Sequence, residues 1–241
     1  MNVFLTGATG YIGGAIADAL QRTGYRVLGL AHSEKSAQVL QERSISLLRG
    51  DLRDPASLAR GARQADAVIH AATINSSDMA EADIAAVEAI LEALEGTNKP
   101  FIYTSGCWVL GNSGESIADE ESPTDPNHCP MVQVDDLADA YVRAITQAPA
   151  GTLVDVPGGP AVRFKDIARA ICQAAGLDGR TESWSLEDAR QVLVSLVDAL
   201  ALDLQVSGAR AHRLLGWAPH APSVLDDLVH GSYHAAMPST L

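Results

Sequence analysis

Three glycines near the N-terminus have the spacing of a phosphate-binding turn. Gly7, Gly10 and Gly13 follow the mostly apolar run 2–6 in a GxxGxxG pattern, and apolar residues then recur at helical spacing. Gly7 would permit a tight turn, Gly10 the approach of backbone N–H groups to a pyrophosphate, and Gly13 close packing of the helix on the strand. The positive N-terminal end of the helix would face the anion. The strand, turn and helix together predict a dinucleotide site rather than a structural turn.

The elements that must position this site alternate along the first half of the chain. Strands are predicted at 2–6, 25–31, 45–49, 67–71 and 100–105, with helices after the glycine turn and at 33–43, 55–62 and 78–95. The alternation predicts an α/β fold, a Rossmann-type doubly wound parallel sheet of order 3-2-1-4-5 with a small, mostly helical C-terminal part. Ligands would then lie beyond the carboxyl ends of the strands, where Gly7, His32, Asp51, Ala72 and Ser105 fall.

The second half of the chain is predicted to be mainly helical. Asp135 is a plausible N-cap for a helix to residue 145, and Gly176 occupies the C′ position of a helix at 163–175. Further helices are predicted at 186–202 and 207–215, and a strand at 152–156 near the fifth-strand edge of the sheet. We therefore expect a dinucleotide-binding core at 1–129 and an abbreviated substrate-side segment at 130–241, packed on the same core.

Composition excludes several kinds of partner. The 241 residues carry 17 Lys+Arg against 30 Asp+Glu, a net charge of −13, which disfavours nucleic acid and anionic membranes. The three cysteines, Cys107, Cys129 and Cys172, form no CxxC pair, which indicates a reducing compartment and gives no zinc signature. No apolar run approaches the length of a membrane span. We expect a cytoplasmic protein without a metal site, and a homodimer is left open.

Six segments make a resemblance specific. They are TGATGYIGG at 6–14, GDLRD at 50–54, VIHAA at 68–72, YTSGCWVLG at 103–111, VDDLADAYVRAI at 134–145 and LGWAP at 215–219. Together they resemble the extended short-chain dehydrogenase/reductase family, also called the NAD-dependent epimerase/dehydratase family. The resemblance implies that Asp51 hydrogen-bonds the adenine, that Leu52 packs on it, and that Ala71 and Ala72 line the phosphates and ribose. From the residues alone, the alternative for Asp51 is a turn residue after a strand, and for the two alanines it is plain core.

The end of the second strand decides between NAD and NADP. An acidic side chain there would accept hydrogen bonds from the ribose 2′-hydroxyl, whereas a 2′-phosphate needs donors or positive charge. His32 is not acidic, and Ser33 and Lys35 can bind a phosphate, so NADP is favoured; Glu34 and the absence of arginine in this stretch keep NAD open. The full set of predicted cofactor-binding residues is Gly7, Thr9, Gly10, Tyr11, Ile12, Gly13, His32, Ser33, Lys35, Asp51, Leu52, Ala71, Ala72 and Thr104.

The chain departs from the family in its proton-handling residues. Short-chain dehydrogenases use a tyrosine in a YxxxK pair, because a phenol with pKa about 10 must be brought toward working pH. None of the five tyrosines is followed by lysine four positions later. The interval 112–133 is too short for the helix that normally carries the pair and the strand after it, so a segment is missing, with its junction near 127–132.

A second catalytic position also departs from the family pattern. The hydroxyl donor of the family falls on Gly106, and the carboxylates of the sugar dehydratases fall on Cys107 and Trp108. Ser105, beside Thr104, is then the candidate catalytic hydroxyl, although a strand-end serine can also simply bond backbone. Cys107 could act as a nucleophile only with a base beside it, for which His128 is the nearest candidate in sequence.

Two functions therefore remain open. The first is an NAD(P)(H)-dependent oxidoreductase or epimerase that transfers hydride to or from a carbonyl or hydroxyl substrate. The second is a catalytically impaired nucleotide-binding protein, acting as a sensor or partner or representing a shortened family member. The intact cofactor motifs favour dinucleotide binding in both, and the missing tyrosine and lysine favour the second.

Overall fold

The structure, a computed structural model, describes residues 1–107, 117–118, 130–177, 180–193 and 204–231. Packing divides the chain into two units: Met1–Ser105 with Leu137–Gly151, and Gly106–Asp136 with Thr152–Leu241. The boundary expected after residue 129 falls outside the described residues and stays a prediction. No helix among the described residues is long and apolar enough to span a membrane.

A five-stranded parallel sheet forms the first unit. Its order, β3-β2-β1-β4-β5, confirms both the predicted order and the predicted α/β fold class. Every neighbouring pair of strands is parallel. The strands are β1 (Asn2–Thr6), β2 (Arg26–Ala31), β3 (Ser46–Arg49), β4 (Ala67–His70) and β5 (Phe101–Tyr103).

Helices cover both faces of this sheet, because strand side chains alternate between two apolar clusters. Leu5 and Ile69 belong to one cluster, into which α1, α2 and α5 insert side chains. Phe4 and Val68 belong to the other, which α3 and α4 complete. The helices are α1 (Tyr11–Arg22), α2 (Glu34–Glu42), α3 (Pro55–Gln64), α4 (Met79–Leu94) and α5 (Val134–Gln147).

The regular elements described in the second unit are mainly helices, as predicted. It contains α6 (Phe164–Ala174), α7 (Leu186–Leu193), α8 (Ala209–Leu215) and α9 (Val224–His230). Gly176 follows α6 with φ +71°, in the left-handed region expected of a C′ glycine. A short parallel pair, β6 (Ile117–Ala118) with β7 (Gln205–Val206), was not predicted. The end of the predicted helix 186–202 lies outside the described residues.

Two predictions for the second half were wrong. Residues 152–156 form no strand, because no described strand supplies the ladder of hydrogen bonds that a strand needs. Asp135 is not the N-cap of α5. Gln133 takes that place, since its Oε1 accepts the backbone N–H of Asp135 at 2.6 Å and that of Asp136 at 3.4 Å.

Candidate dinucleotide-binding site

Two of the three glycines in the turn after β1 are required by the protein's own backbone. Gly7 has φ +77°, and a Cβ built on it would lie 2.6 Å from the carbonyl oxygen of Ala71. A Cβ on Gly13 would lie 2.1 Å from the carbonyl oxygen of Gly7. The turn therefore packs directly against the residue after β4 and against the first turn of α1, as the GxxGxxG pattern predicts.

Gly10 differs, because the described part of the protein restricts it less than it restricts Gly7 and Gly13. It is the N-cap of α1 with extended backbone, φ −84° and ψ 176°, and an added Cβ would approach only the carbonyl oxygen of Gly7, at 3.3 Å. No side chain caps α1 and no acidic residue lies in its first turn, where Tyr11 and Ile12 are exposed. A helix start that is positive, uncapped and open beside a glycine fits a pyrophosphate.

A chain of hydrogen bonds lies directly beneath this turn. The Thr6 hydroxyl and His70 Nδ1 are 2.6 Å apart, and His70 Nε2 lies 3.1 Å from Asp83 Oδ1. Tyr103 donates its hydroxyl to Asp83 Oδ2 at 2.6 Å. Since a carboxylate only accepts, His70 donates from Nε2 and its bare Nδ1 accepts from Thr6. Thr6 Oγ1 in turn accepts the backbone N–H of Ala71 at 3.2 Å.

These hydrogen bonds hold the backbone at Ala71, which the dinucleotide is predicted to touch. Thr6 and His70 are fully buried, and burial lowers the pKa of His70, although Asp83 acts to raise it. The ring therefore stays neutral at pH 7 and keeps one donor and one acceptor. Ala71, which it holds through Thr6, is the residue against which Gly7 packs. We did not anticipate this function of His70, and the only sequence signal was a histidine inside the otherwise apolar strand VIHAA.

Asp51, the predicted adenine ligand, lies in a braced loop after β3. Its Oδ1 accepts the backbone N–H of Arg53 at 2.8 Å, which leaves its second carboxylate oxygen for another donor. The Arg53 guanidinium forms a bidentate ion pair with Asp78, with N–O distances of 2.9 to 3.1 Å. This ion pair lowers the pKa of Asp78 to about 2. The loops after β3 and β4 are thereby joined. Leu52 is half-buried against the Phe4 cluster.

The end of β2 presents an exposed His32, an N-capping Ser33 and an exposed Lys35. The Ser33 hydroxyl accepts the Ser36 backbone N–H at 3.1 Å, so its first use is structural. The side chains of His32 and Lys35 make no hydrogen bond or ion pair within the described part of the chain. Glu34 is paired with Arg49 of β3, whose Nη2 lies 2.6 Å from Glu34 Oε2. Local spacing does not reveal Arg49 as a neighbour of Glu34, because the two lie 15 residues apart along the chain.

The end of β5 carries the candidate catalytic residues. Thr104 is engaged, since Tyr141 of α5 donates its hydroxyl to Thr104 Oγ1 at 2.7 Å. Ser105 is exposed, and its side chain makes no hydrogen bond to the described residues. A Cβ on Gly106 would meet no atom of the described residues within 4 Å, so these residues do not require glycine there.

The tyrosines near this end are poor acids. The hydrogen bond to Asp83 raises the pKa of Tyr103 to about 12, and burial raises the pKa of Tyr141. Cys107 donates its thiol to Asp155 Oδ1 at 3.7 Å, and His128, its suggested base, lies outside the described residues. No group of three metal-ligating side chains occurs among the described residues.

Known proteins share this architecture and parts of the sequence. An uncharacterized protein of Saccharomyces cerevisiae, YLL056C, is 39% identical over 131 residues, which cover 52% of this chain and 43% of the yeast protein. An uncharacterized protein of Schizosaccharomyces pombe, C2A9.02, is 26% identical over 296 residues, covering 97% of this chain and all of that protein. Neither name carries an activity.

Solved structures agree on the fold. UDP-glucose-4-epimerase from Stenotrophomonas maltophila, with bound NAD and formylated UDP-arabinopyranose, superimposes with a TM-score of 0.73 at 16% identity and covers 98% of both chains. Residues 3–130, which contain the glycine turn and the ends of all five parallel strands, match the model of one family. The chain belongs to the NAD dependent epimerase/dehydratase family.

Proposed function

We propose that this protein binds NADP(H) along the carboxyl ends of β1 to β5. The observation that carries the proposal is the contrast at the glycine turn, where a Cβ on Gly7 or Gly13 would clash with backbone at 2.6 Å or less, while one on Gly10 would meet a single backbone oxygen at 3.3 Å. The uncapped start of α1, residues 9–13, would hold the pyrophosphate. Asp51 and Leu52 would hold the adenine, His32, Ser33 and Lys35 the phosphorylated ribose, and Ala71, Ala72 and Thr104 the remainder.

We further propose that redox turnover is weak. A bound nicotinamide would supply or accept a hydride, so the protein must move the accompanying proton. The residues at the end of β5 are poorly suited to this, because Gly106 has no hydroxyl and the pKa values of Tyr103 and Tyr141 are raised. Loss of a positioned acid or base typically lowers a rate by roughly 10²–10⁴-fold.

One observation favours a second candidate, an oxidoreductase acting on a carbonyl or hydroxyl substrate. Ser105 is exposed at the end of β5 and its hydroxyl is not engaged by the described residues. It could therefore donate a hydrogen bond to a substrate carbonyl. Nucleotide sugars are one substrate class to include, since the epimerase of similar fold was solved with one. A cytoplasmic location, supported by the widely spaced cysteines, is part of the same proposal.

Calorimetric titration with NADPH and NADH tests the binding proposal. We expect both to bind, NADPH more tightly, and Lys35→Glu to weaken NADPH more than NADH, because it replaces a cation beside the predicted phosphate. An equal loss for the two cofactors would remove the NADP assignment. Failure of both cofactors to bind the unaltered protein would refute the proposed function itself.

A further inference from the structure

Arg49 brings a guanidinium to the predicted ribose end of the site from a neighbouring strand. Ala31, the last residue of β2, is paired in register with Arg49, the last residue of β3. Parallel strands end at the same edge of a sheet, so Arg49 reaches Glu34 in the first turn of α2, with Nη2 and Oε2 2.6 Å apart. Both side chains are exposed, by 54% and 85%.

The ion pair changes what this edge can recognise. Glu34 is the one carboxylate in the stretch 31–35, and its partner Arg49 neutralises the charge that would favour an unphosphorylated ribose. Lys35 is exposed beside it, and the Arg60 guanidinium donates to the Arg49 carbonyl oxygen at 3.2 Å. Three cations, Lys35, Arg49 and Arg60, therefore lie at this end of β2 and β3, and Glu34 is ion-paired with Arg49.

We propose that Arg49 selects the phosphorylated cofactor by exchanging Glu34 for the 2′-phosphate of NADP(H). This inference rests on the proposed dinucleotide site and names the residue that sets its preference. A guanidinium presents paired N–H donors that match phosphate oxygens, and a phosphate monoester carries more charge than a carboxylate. An exposed ion pair is weak and exchanges readily in water. Glu34 thus orients Arg49 in the free protein and competes with the ligand.

Titration calorimetry with NADPH and NADH on Arg49→Gln tests the exchange. We expect NADPH affinity to fall about tenfold or more, the size of a hydrogen-bonded charge contact, while NADH affinity changes less than about twofold. Glu34→Gln should strengthen NADPH binding, because it removes the competing carboxylate. Arg26→Gln is the matched control, since Arg26 is exposed at the opposite end of β2 and should alter neither cofactor.

The outcomes separate this inference from the proposed function. Equal loss of NADPH and NADH in Arg49→Gln, or no loss of NADPH, would overturn the assignment of Arg49 while dinucleotide binding stands. Weaker NADPH binding in Glu34→Gln would show that Glu34 is a ligand rather than a competitor, and would also overturn it. If the unaltered protein binds neither cofactor, the site proposal fails before Arg49 is tested.

Discussion

The ends of β1 and β4 differ from the end of β5 in how tightly the protein constrains its glycines and polar groups. An added Cβ at Gly7 or Gly13 would come within 2.6 Å of backbone atoms, whereas one at Gly106 would meet nothing within 4 Å in the part of the chain that the structure describes. The Thr6 hydroxyl is fully engaged beneath the turn, while the Ser105 hydroxyl is exposed. Contact geometry thus requires glycine at Gly7 and Gly13 in the predicted binding turn, whereas the described residues place no such requirement on Gly106 and do not engage the Ser105 hydroxyl.

The largest loss of stability is expected from a substitution at Gly13. Gly13→Ala should lower the free energy of unfolding by about 3 kcal/mol, the upper end for overpacking, because the new methyl group meets rigid backbone at 2.1 Å. Urea denaturation measures the change. The matched control is Gly106→Ala, which should be neutral or stabilising by less than about 1 kcal/mol. Equal losses at both positions would show that the two regions are not differently constrained.

Gly10 separates binding from stability. Gly10→Leu should reduce NADPH affinity by about 100-fold or more, since the side chain would occupy the approach to the α1 N-terminus. Its effect on unfolding should stay near 1 kcal/mol, because φ −84° suits any residue and the protein contact is limited to one oxygen at 3.3 Å. Calorimetry and urea denaturation give the two values. Unchanged NADPH affinity would exclude the turn as the phosphate site.

The hydrogen-bond chain under the turn can be cut at His70. His70→Ala should cost about 2 kcal/mol or more of unfolding free energy, because it leaves the buried Thr6 hydroxyl without its acceptor. NADPH affinity should fall with it, since Ala71 loses its brace. The control is His32→Ala, at an exposed position, which should leave the free energy of unfolding unchanged. A His70→Ala protein as stable as the parent would mean that these hydrogen bonds contribute nothing to the free energy of unfolding.

The same histidine predicts a pH dependence. Burial lowers the pKa of folded His70, whereas the unfolded chain has the ordinary value of about 6.5 and binds the proton more readily. The stability due to neutral His70 is therefore fully present above about pH 6.5 and is lost as the pH falls below it. Urea denaturation at a series of pH values should show this loss in the parent and not in His70→Ala. Parallel profiles would assign the acid sensitivity to other groups.

The smallest effect is expected at the end of β5. Tyr141→Phe removes one hydrogen bond, from the Tyr141 hydroxyl to Thr104 Oγ1, and should cost about 1 kcal/mol. NADPH affinity should change little, because Thr104 keeps its hydroxyl and Tyr141 is not one of the residues predicted to bind the cofactor. A large loss of NADPH binding in Tyr141→Phe would mean that the two regions act as one.

The features that could be predicted from the sequence are those that depend on residues close together along the chain. Strand order followed from alternating apolar runs, and the turn from GxxGxxG, since both depend on neighbours along the chain. The network from Thr6 to Tyr103 and the pair of Arg49 with Glu34 join residues on different elements, which become neighbours only after the sheet forms. Residues 152–156 have a strand-like composition, but pairing requires a partner strand that local pattern does not reveal.

We propose that the dinucleotide site at the glycine turn is intact and that the residues after β5 lack an effective proton donor. The fluorescence of bound NADPH tests both parts of this proposal. The reduced nicotinamide emission is followed as the protein is mixed with NADPH and a panel of ketones, aldehydes and nucleotide sugars that carry a keto group. We predict a bound signal that persists with every carbonyl compound. A signal that decays at about one turnover per second or faster, within the ordinary range of enzymes, would contradict the claim of impaired catalysis. Absence of any bound signal would contradict the intact dinucleotide site.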